Sequence, residues 1–204
     1  MLLQHWRVIA DREGFMGKNT LEGKKVAILV ADGFEQEELT GPKEALEAAG
    51  ARIEIVSPAE GEVQGWNHDE KADKFRVDMP LNLARSDDYD ALLLPGGVRN
   101  PDQLRMSTRA VEFVDGFFAT GKPVAAICHA PWLLIETEII KGKTITSWPS
   151  LKTDLTNAGA HWVDREVVVH DGLVTSRKPA DIPAFNKKMI QEFAAGRHAR
   201  QWAA

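Results

Sequence analysis

Cysteine is nearly missing from this chain: among 204 residues there is one, Cys128. A single thiol closes no disulfide within the chain, so a framework of bridges is excluded, and the thiol is expected to stay reduced as either an inert core residue or a reactive one. Long apolar runs are missing too. No segment approaches the roughly 20 residues that span a bilayer, and the opening MLLQHWRVIADREG interrupts its apolar residues with charges too early for a secretory leader. The expectation is a cytoplasmic protein with no membrane partner. Blocks of like charge are absent as well. The formal charge of -5 is spread along the sequence, which argues against a nucleic-acid footprint. With no internal repeat and no linker, and with 44% apolar residues, the length suits one core of ordinary size and a single domain.

What is present is alternation. Short apolar runs give way to longer amphipathic ones, the pattern of a parallel sheet with helices on both faces, hence the α/β class. KVAILV (25–30) reads as a strand buried on both faces, and GPKEALEAAG (41–50) as a helix with Pro42 near its start and Gly50 at its end. RIEIVS (52–57) is the next strand. The polar, glycine-punctuated stretch 60–80 reads as a hairpin or excursion at the sheet edge. A strand at 90–97, a helix at 108–122, a strand at 123–128 and a helix at 130–139 follow. TITSW, a helix over SLKTDLTNAG, a hairpin EVVVHDGLVTS turning at Asp171-Gly172 and a last helix from about Ile182 to Ala195 complete the sheet. Residues 1–23 carry no clear pattern and are set apart as an N-terminal extension, leaving 24–204 as the domain.

In open parallel sheets ligands bind at the carboxyl ends of the strands. Three turns fall at such ends, ADGFEQEE, LPGGVRNPD and ICHAP, and they are expected to converge on one crevice. The third holds Cys128 followed by His129. A nucleophile on a sharp strand-to-helix turn projects from the sheet, and the helix start behind it supplies free amides and positive potential that favour a thiolate. His129, as proton carrier, needs an acid to fix its tautomer. Glu35, Glu37, Glu38 and Asp102 are the candidates, although carboxylates after a first strand commonly serve only as helix-start charges. Glu38 heads an apolar stretch, and a buried, protonated carboxyl there would donate to the sulfur and lower the thiol's pKa. Trp66, Trp132, Trp148 and Trp162 are expected to pack rather than to line a substrate site. His68, Asp69 and Glu70 are neighbours on a polar excursion and do not point at one centre, so no metal is expected. His161 and His170 have no visible partner.

Five stretches in the same order carry a resemblance: DGFEQEEL after VAILVA, LPGG after DALL, AAICHAP after PVAAI, TSWPSLKTDLTNAGAHWVD, and VTSRKPAD. Together they resemble the PfpI family, the intracellular-protease and protein-deglycase group, whose superfamily also contains the human parkinsonism-linked deglycase and the class I glutamine-amidotransferase domains. The resemblance runs from about Lys24 to the C-terminal helix. It implies a flavodoxin-like three-layer sandwich with a small hairpin excursion. It implies Cys128 as nucleophile, Glu38 as the buried acid touching it, and His129 as general base or acid. Gly97 with the His129 amide would form the oxyanion hole, and Arg177 would line the pocket. PfpI-type members take a third triad acid from a neighbouring subunit, a glutamate after a proline. Pro101-Asp102 stands there in this chain, one methylene shorter, in a homodimer or larger homo-oligomer.

The expected activity is stress protection by a cysteine hydrolase acting on methylglyoxal or glyoxal, free or as early protein adducts, with no cofactor. A cysteine peptidase is the alternative within enzymes. A peroxide sensor or chaperone whose thiol oxidises to a sulfinate beside Glu38 is the alternative outside them.

Overall fold

The computed structural model describes residues 20–198. In chain order its strands are β1 (Lys25–Leu29), β2 (Phe34–Glu35), β3 (Arg52–Ser57), β4 (Glu62–Asn67), β5 (Glu70–Arg76), β6 (Met79–Pro80), β7 (Ala91–Leu94), β8 (Val124–Ile127), β9 (Thr144–Ile145), β10 (His161–Trp162), β11 (Val167–His170) and β12 (Leu173–Ser176). The helices are α1 (Gln36–Ala48), α2 (Arg99–Arg105), α3 (Thr108–Ala119), α4 (Lys152–Asn157) and α5 (Ile182–Ala195).

Seven strands form one sheet in the order β11-β12-β8-β7-β1-β3-β6, parallel throughout except for β11 against β12. Strand β1 explains why the sheet is covered twice. Successive side chains of a strand point to opposite faces. Val26 and Ile28 pack in one apolar cluster with Leu39 and Leu46 of α1 and Phe185, Met189 and Phe193 of α5. Ala27 and Leu29 pack in the other, with Phe113 and Phe117 of α3. A strand buried on both faces has no place for a polar residue, so KVAIL has none after its first position. The result is the three-layer sandwich expected from the resemblance. Leu21 is fully buried in the first of these clusters, so the domain takes in residues at the end of the supposed extension, and residues 1–19 lie outside those described.

Several elements differ from the sequence reading. Helix α1 begins at Gln36 rather than at 41, so Pro42 sits inside it and Glu37 and Glu38 occupy its first turn. The expected helix at 130–139 is a 3-10 helix over Ala130–Ile135. Thr144–Ile145 leaves the main sheet to pair with His161–Trp162 in a separate two-stranded sheet. Strands β4 and β5 form the hairpin anticipated for 60–80, and β2 joins that hairpin in a separate three-stranded sheet. That pairing draws the hairpin toward the carboxyl end of β1. His170 also has partners, since its Nδ1 accepts the Thr144 amide at 3.0 Å.

Candidate active site

The order of strands reverses its direction of growth at β1, with β3 on one side and β7 on the other. A crevice opens at the carboxyl ends of the strands at such a switch point. Here the turn after β1, the Pro-Gly-Gly turn after β7 and the turn after β8 meet around one cavity of about 570 Å³, lined by Gly33, Glu38, Gly97, Cys128 and His129 among others. The expected convergence of the three turns therefore holds.

Cys128 is the first residue after β8, and its φ is 62°. A side chain with a Cβ in the left-handed region costs on the order of 1–3 kcal/mol. The surroundings hold it there: its amide donates to the Ser176 carbonyl at 3.0 Å, and its carbonyl accepts the Trp148 amide at 2.8 Å. The elbow anticipated from the sequence is thus clamped from β12 and from the segment after β9. The sulfur sits at the cavity floor with the residue 6% exposed, within 3.2 Å of Nδ1 of its own neighbour His129. Consecutive side chains usually diverge. The left-handed turn at Cys128 is what folds these two toward each other.

Glu38 lies in the first turn of α1 with no exposed surface. Its Oε2 accepts the Gly96 amide at 2.8 Å. Its other oxygen is buried without a conventional partner, and the Cys128 thiol is the carboxyl's second hydrogen-bonding neighbour. Gly96 makes this approach possible. A Cβ there would stand 2.5 Å from Glu38 Oε2 and 2.7 Å from Cys128 Cβ. Asn100, missed in the sequence because a buried asparagine leaves no periodic signal, ties the turns together. Its Oδ1 accepts the Ala31 amide at 2.7 Å, and its Nδ2 donates to Pro95 and Gly96 carbonyls at 2.8 and 3.1 Å.

Burial pushes the Glu38 carboxyl up to about 8, against the hydrogen bonds from the thiol and the Gly96 amide. Burial also pushes the Cys128 thiol above the ordinary thiol range, and the Glu38 charge and hydrogen bond add to this, while the amides of Gly97 and His129 pull the other way. This corrects the expectation of a lowered thiol. The sulfur is too well covered, and the 3-10 turn behind it supplies amides but not an α-helix dipole. Burial thus favours the protonated carboxyl at neutral pH and opposes ionisation of the thiol beside it. Burial lowers His129 to about 4, so its imidazole is neutral and free to take the thiol proton. The amides of Gly97 and His129 act on the sulfur to ease its ionisation and stand beside the place where charge would develop on attack.

Not every expected residue joins them. Asp102 is exposed in α2 and forms no hydrogen bond or ion pair with His129 within the chain, so the described residues of one chain complete no triad. Glu35 is engaged elsewhere, accepting the His68 amide at 3.1 Å and facing His68 Nδ1 at 3.6 Å, and Glu37 is exposed. Arg177 is absent from the cavity lining. Asp181 holds its guanidinium through two bonds of 2.8 and 3.1 Å, and Asp164 through one of 2.7 Å. Conversely, Trp66 and Trp148, expected only to pack, line the cavity together with His68, Asp69 and Arg99. Trp148 stacks on His129 with ring centroids 5.6 Å apart, and so supports the face of the imidazole rather than the edge where an acid would bond.

The pH dependence of this pair has a definite sign. Because Glu38 ionises near 8 when folded and near 4.5 when unfolded, stability is full below about 4.5 and falls as pH rises through about 8. We expect the protein to lose a few kcal/mol over that window and Glu38→Gln to lose much less, measured by urea unfolding at pH 5 and pH 8.5. Equal slopes in the two proteins would mean that Glu38 is not a buried acid.

The DJ-1/PfpI family model matches residues 24–192. The chain is 44% identical over 167 residues to a Bacillus subtilis protein named "Putative cysteine protease YraA", covering 82% of this chain and 96% of that protein. It is 43% identical over 170 residues to General stress protein 18 of the same organism, with the same shares. Among solved structures, Drosophila melanogaster DJ-1beta matches with a TM-score of 0.76 and 29% identity, over 84% of this chain and 90% of that one. A two-domain Anabaena variabilis protein with DJ-1/ThiJ/PfpI-like and ferritin-like domains matches with a TM-score of 0.77 and 32% identity, over 82% of this chain and 47% of that one.

Proposed function

The chain belongs to the DJ-1/PfpI family, and from that premise we propose that it is a cysteine-dependent hydrolase of small dicarbonyl compounds and of their early protein adducts, acting in stress protection. The observation that carries this reading is a sulfur almost covered at the floor of a small cavity, with a neutral imidazole nitrogen 3.2 Å away. A site of that shape admits a two- or three-carbon carbonyl end on. With Cys128 only 6% exposed, little of the sulfur is open to an extended peptide lying across it. Among the described residues no helix is long and apolar enough to cross a membrane.

In this mechanism the Cys128 sulfur adds to the aldehyde carbon of methylglyoxal while His129 Nδ1 takes the thiol proton. The carbonyl oxygen gains the electron pair and is held by the Gly97 and His129 amides, then protonated, giving a hemithioacetal. Transfer of the proton from the former aldehyde carbon to the neighbouring ketone carbon, by way of an enediol, converts this into a thioester of lactate. Water cleaves the thioester, releasing lactate and restoring the thiol. No electrons enter or leave. For an early adduct on a protein amine, the sum is adduct plus water giving amine plus lactate.

A second copy of the chain is proposed to bring Asp102 toward His129, to which no carboxylate bonds among the described residues of one chain. The test is lactate release from methylglyoxal across a dilution series, with unfolded casein as a parallel substrate. Lactate formation whose specific rate drops as the protein is diluted is the expected result. Casein cleavage without lactate would establish the peptidase instead, and oxidation of Cys128 without turnover of either would make it a sensor.

A further inference from the structure

Arg99 plays no part in the chemistry just described, yet it lines the same cavity as Cys128 and His129. Two contacts fix its position. Its stem crosses Gly33 so closely that a Cβ on that glycine would stand 2.6 Å from Arg99 Cβ and 3.1 Å from its Cδ. Its guanidinium carbon lies 4.3 Å from the centroid of the Trp66 ring. Among the described residues no carboxylate pairs with it. Two of the acids on the cavity wall are not available to it. Glu35 is occupied by His68, and Glu38 is held protonated by burial up to about 8.

A guanidinium held over an indole by cation–π attraction still has N–H donors to offer a ligand. Those donors match a carboxylate, which they meet with two parallel bonds. Asp69, also on the cavity wall, carries a negative charge that would oppose a dianion more than a monoanion, so a phosphate ester fits less well than a carboxylate.

We propose that Arg99, seated on Trp66, is a specificity-determining residue that binds a carboxylate on the substrate, and that the favoured substrate is a 2-oxoaldehyde bearing a carboxylate at its far end. This deepens the proposed function and rests on it for turnover, but the anion site itself does not. The lone cysteine provides a readout independent of turnover, since any alkylation reports on Cys128 alone.

The experiment compares the alkylation rate of Cys128 by iodoacetate, which carries a carboxylate, with that by neutral iodoacetamide, in the full chain and in Arg99→Gln and Arg99→Lys. The expected ratio of the two rates in the unaltered protein is on the order of tenfold above that of glutathione, falling to the glutathione value in Arg99→Gln and lying between the two in Arg99→Lys. It is also expected to shrink with added glutarate. A ratio equal in the unaltered protein and in Arg99→Gln would overturn the proposal. Arg99 is exposed, so the glutamine variant is expected to fold, and matching circular dichroism spectra would establish that it does. Turnover of 4,5-dioxopentanoate against methylglyoxal then completes the test. An Arg99-dependent alkylation ratio with neither aldehyde consumed would leave the anion site standing and remove the proposed function. Consumption of both with no Arg99-dependent ratio would do the reverse.

Discussion

Replacing Cys128 by serine is expected to lower lactate formation from methylglyoxal by at least ~10³-fold while leaving the melting temperature within a few degrees. The two effects separate because the substitution changes chemistry but hardly changes volume. The serine would occupy the same left-handed turn, held by the same two backbone bonds to Ser176 and Trp148. It would not react in the same way. A hydroxyl is far less acidic than a thiol, and His129, lowered to about 4, is too weak a base to remove its proton. Only a soft sulfur that releases its proton late, as the new bond forms, suits so weak a base. Lactate formation by Cys128→Ser within tenfold of the unaltered protein would remove the nucleophile from the mechanism and with it the proposed reaction.

This resting state is also where sequence reasoning stopped short. Position along the chain exposed the elbow, because AAI before Cys128 and Pro131 after it mark a strand ending in a turn. It exposed Glu38 as well, since an acid heading an apolar run is out of place on a solvated face. The sandwich followed from strands such as KVAIL, whose both-sided burial appears as an unbroken apolar run. The direction of the thiol's ionisation did not follow, because solvation is set by what folds over the sulfur, and the cover comes from elements far apart in sequence. Trp148 reaches His129 from nineteen positions away, and Trp66 comes from a hairpin whose polar sequence gave no reason to bring it to the site. The start of α1 was misplaced for a local reason: Pro42 is a common helix-opening signal, yet the helix was already under way six residues earlier. Arg177 failed differently. Its neighbourhood in TSRKPAD matches the resemblance, but Asp181 lies one helical turn on, close enough to hold the guanidinium by two bonds.

The second large effect concerns backbone rather than side chain. Gly97→Ala is expected to destabilise the fold by about 2–4 kcal/mol, a drop of roughly 5–10 °C in Tm, and to cost the surviving folded enzyme about 10²-fold in kcat or more. The added Cβ would stand 2.5 Å from the Gly33 carbonyl oxygen, 2.7 Å from the Glu35 amide nitrogen and 3.0 Å from the Phe34 carbonyl carbon. All three are backbone atoms, of the turn after β1 and of β2, so no flexible side chain can swing aside, and the segment carrying Gly33 and Glu35 would have to move. The φ of 76° adds a penalty of its own. Gly23→Ala isolates that penalty, because Gly23 has nearly the same φ of 77° and nothing within 4 Å of the built Cβ. It should cost only about 1 kcal/mol with no loss of turnover. The difference between the two variants is therefore the cost of separating the Pro-Gly-Gly turn from the turn after β1. Moving those turns apart also moves the Gly97 amide off the sulfur, so the stability loss and the kcat loss should appear together. If Gly97→Ala melted with Gly23→Ala and kept its kcat, the amide would have no part in holding the developing charge, and the oxyanion site would have to be sought elsewhere around Cys128.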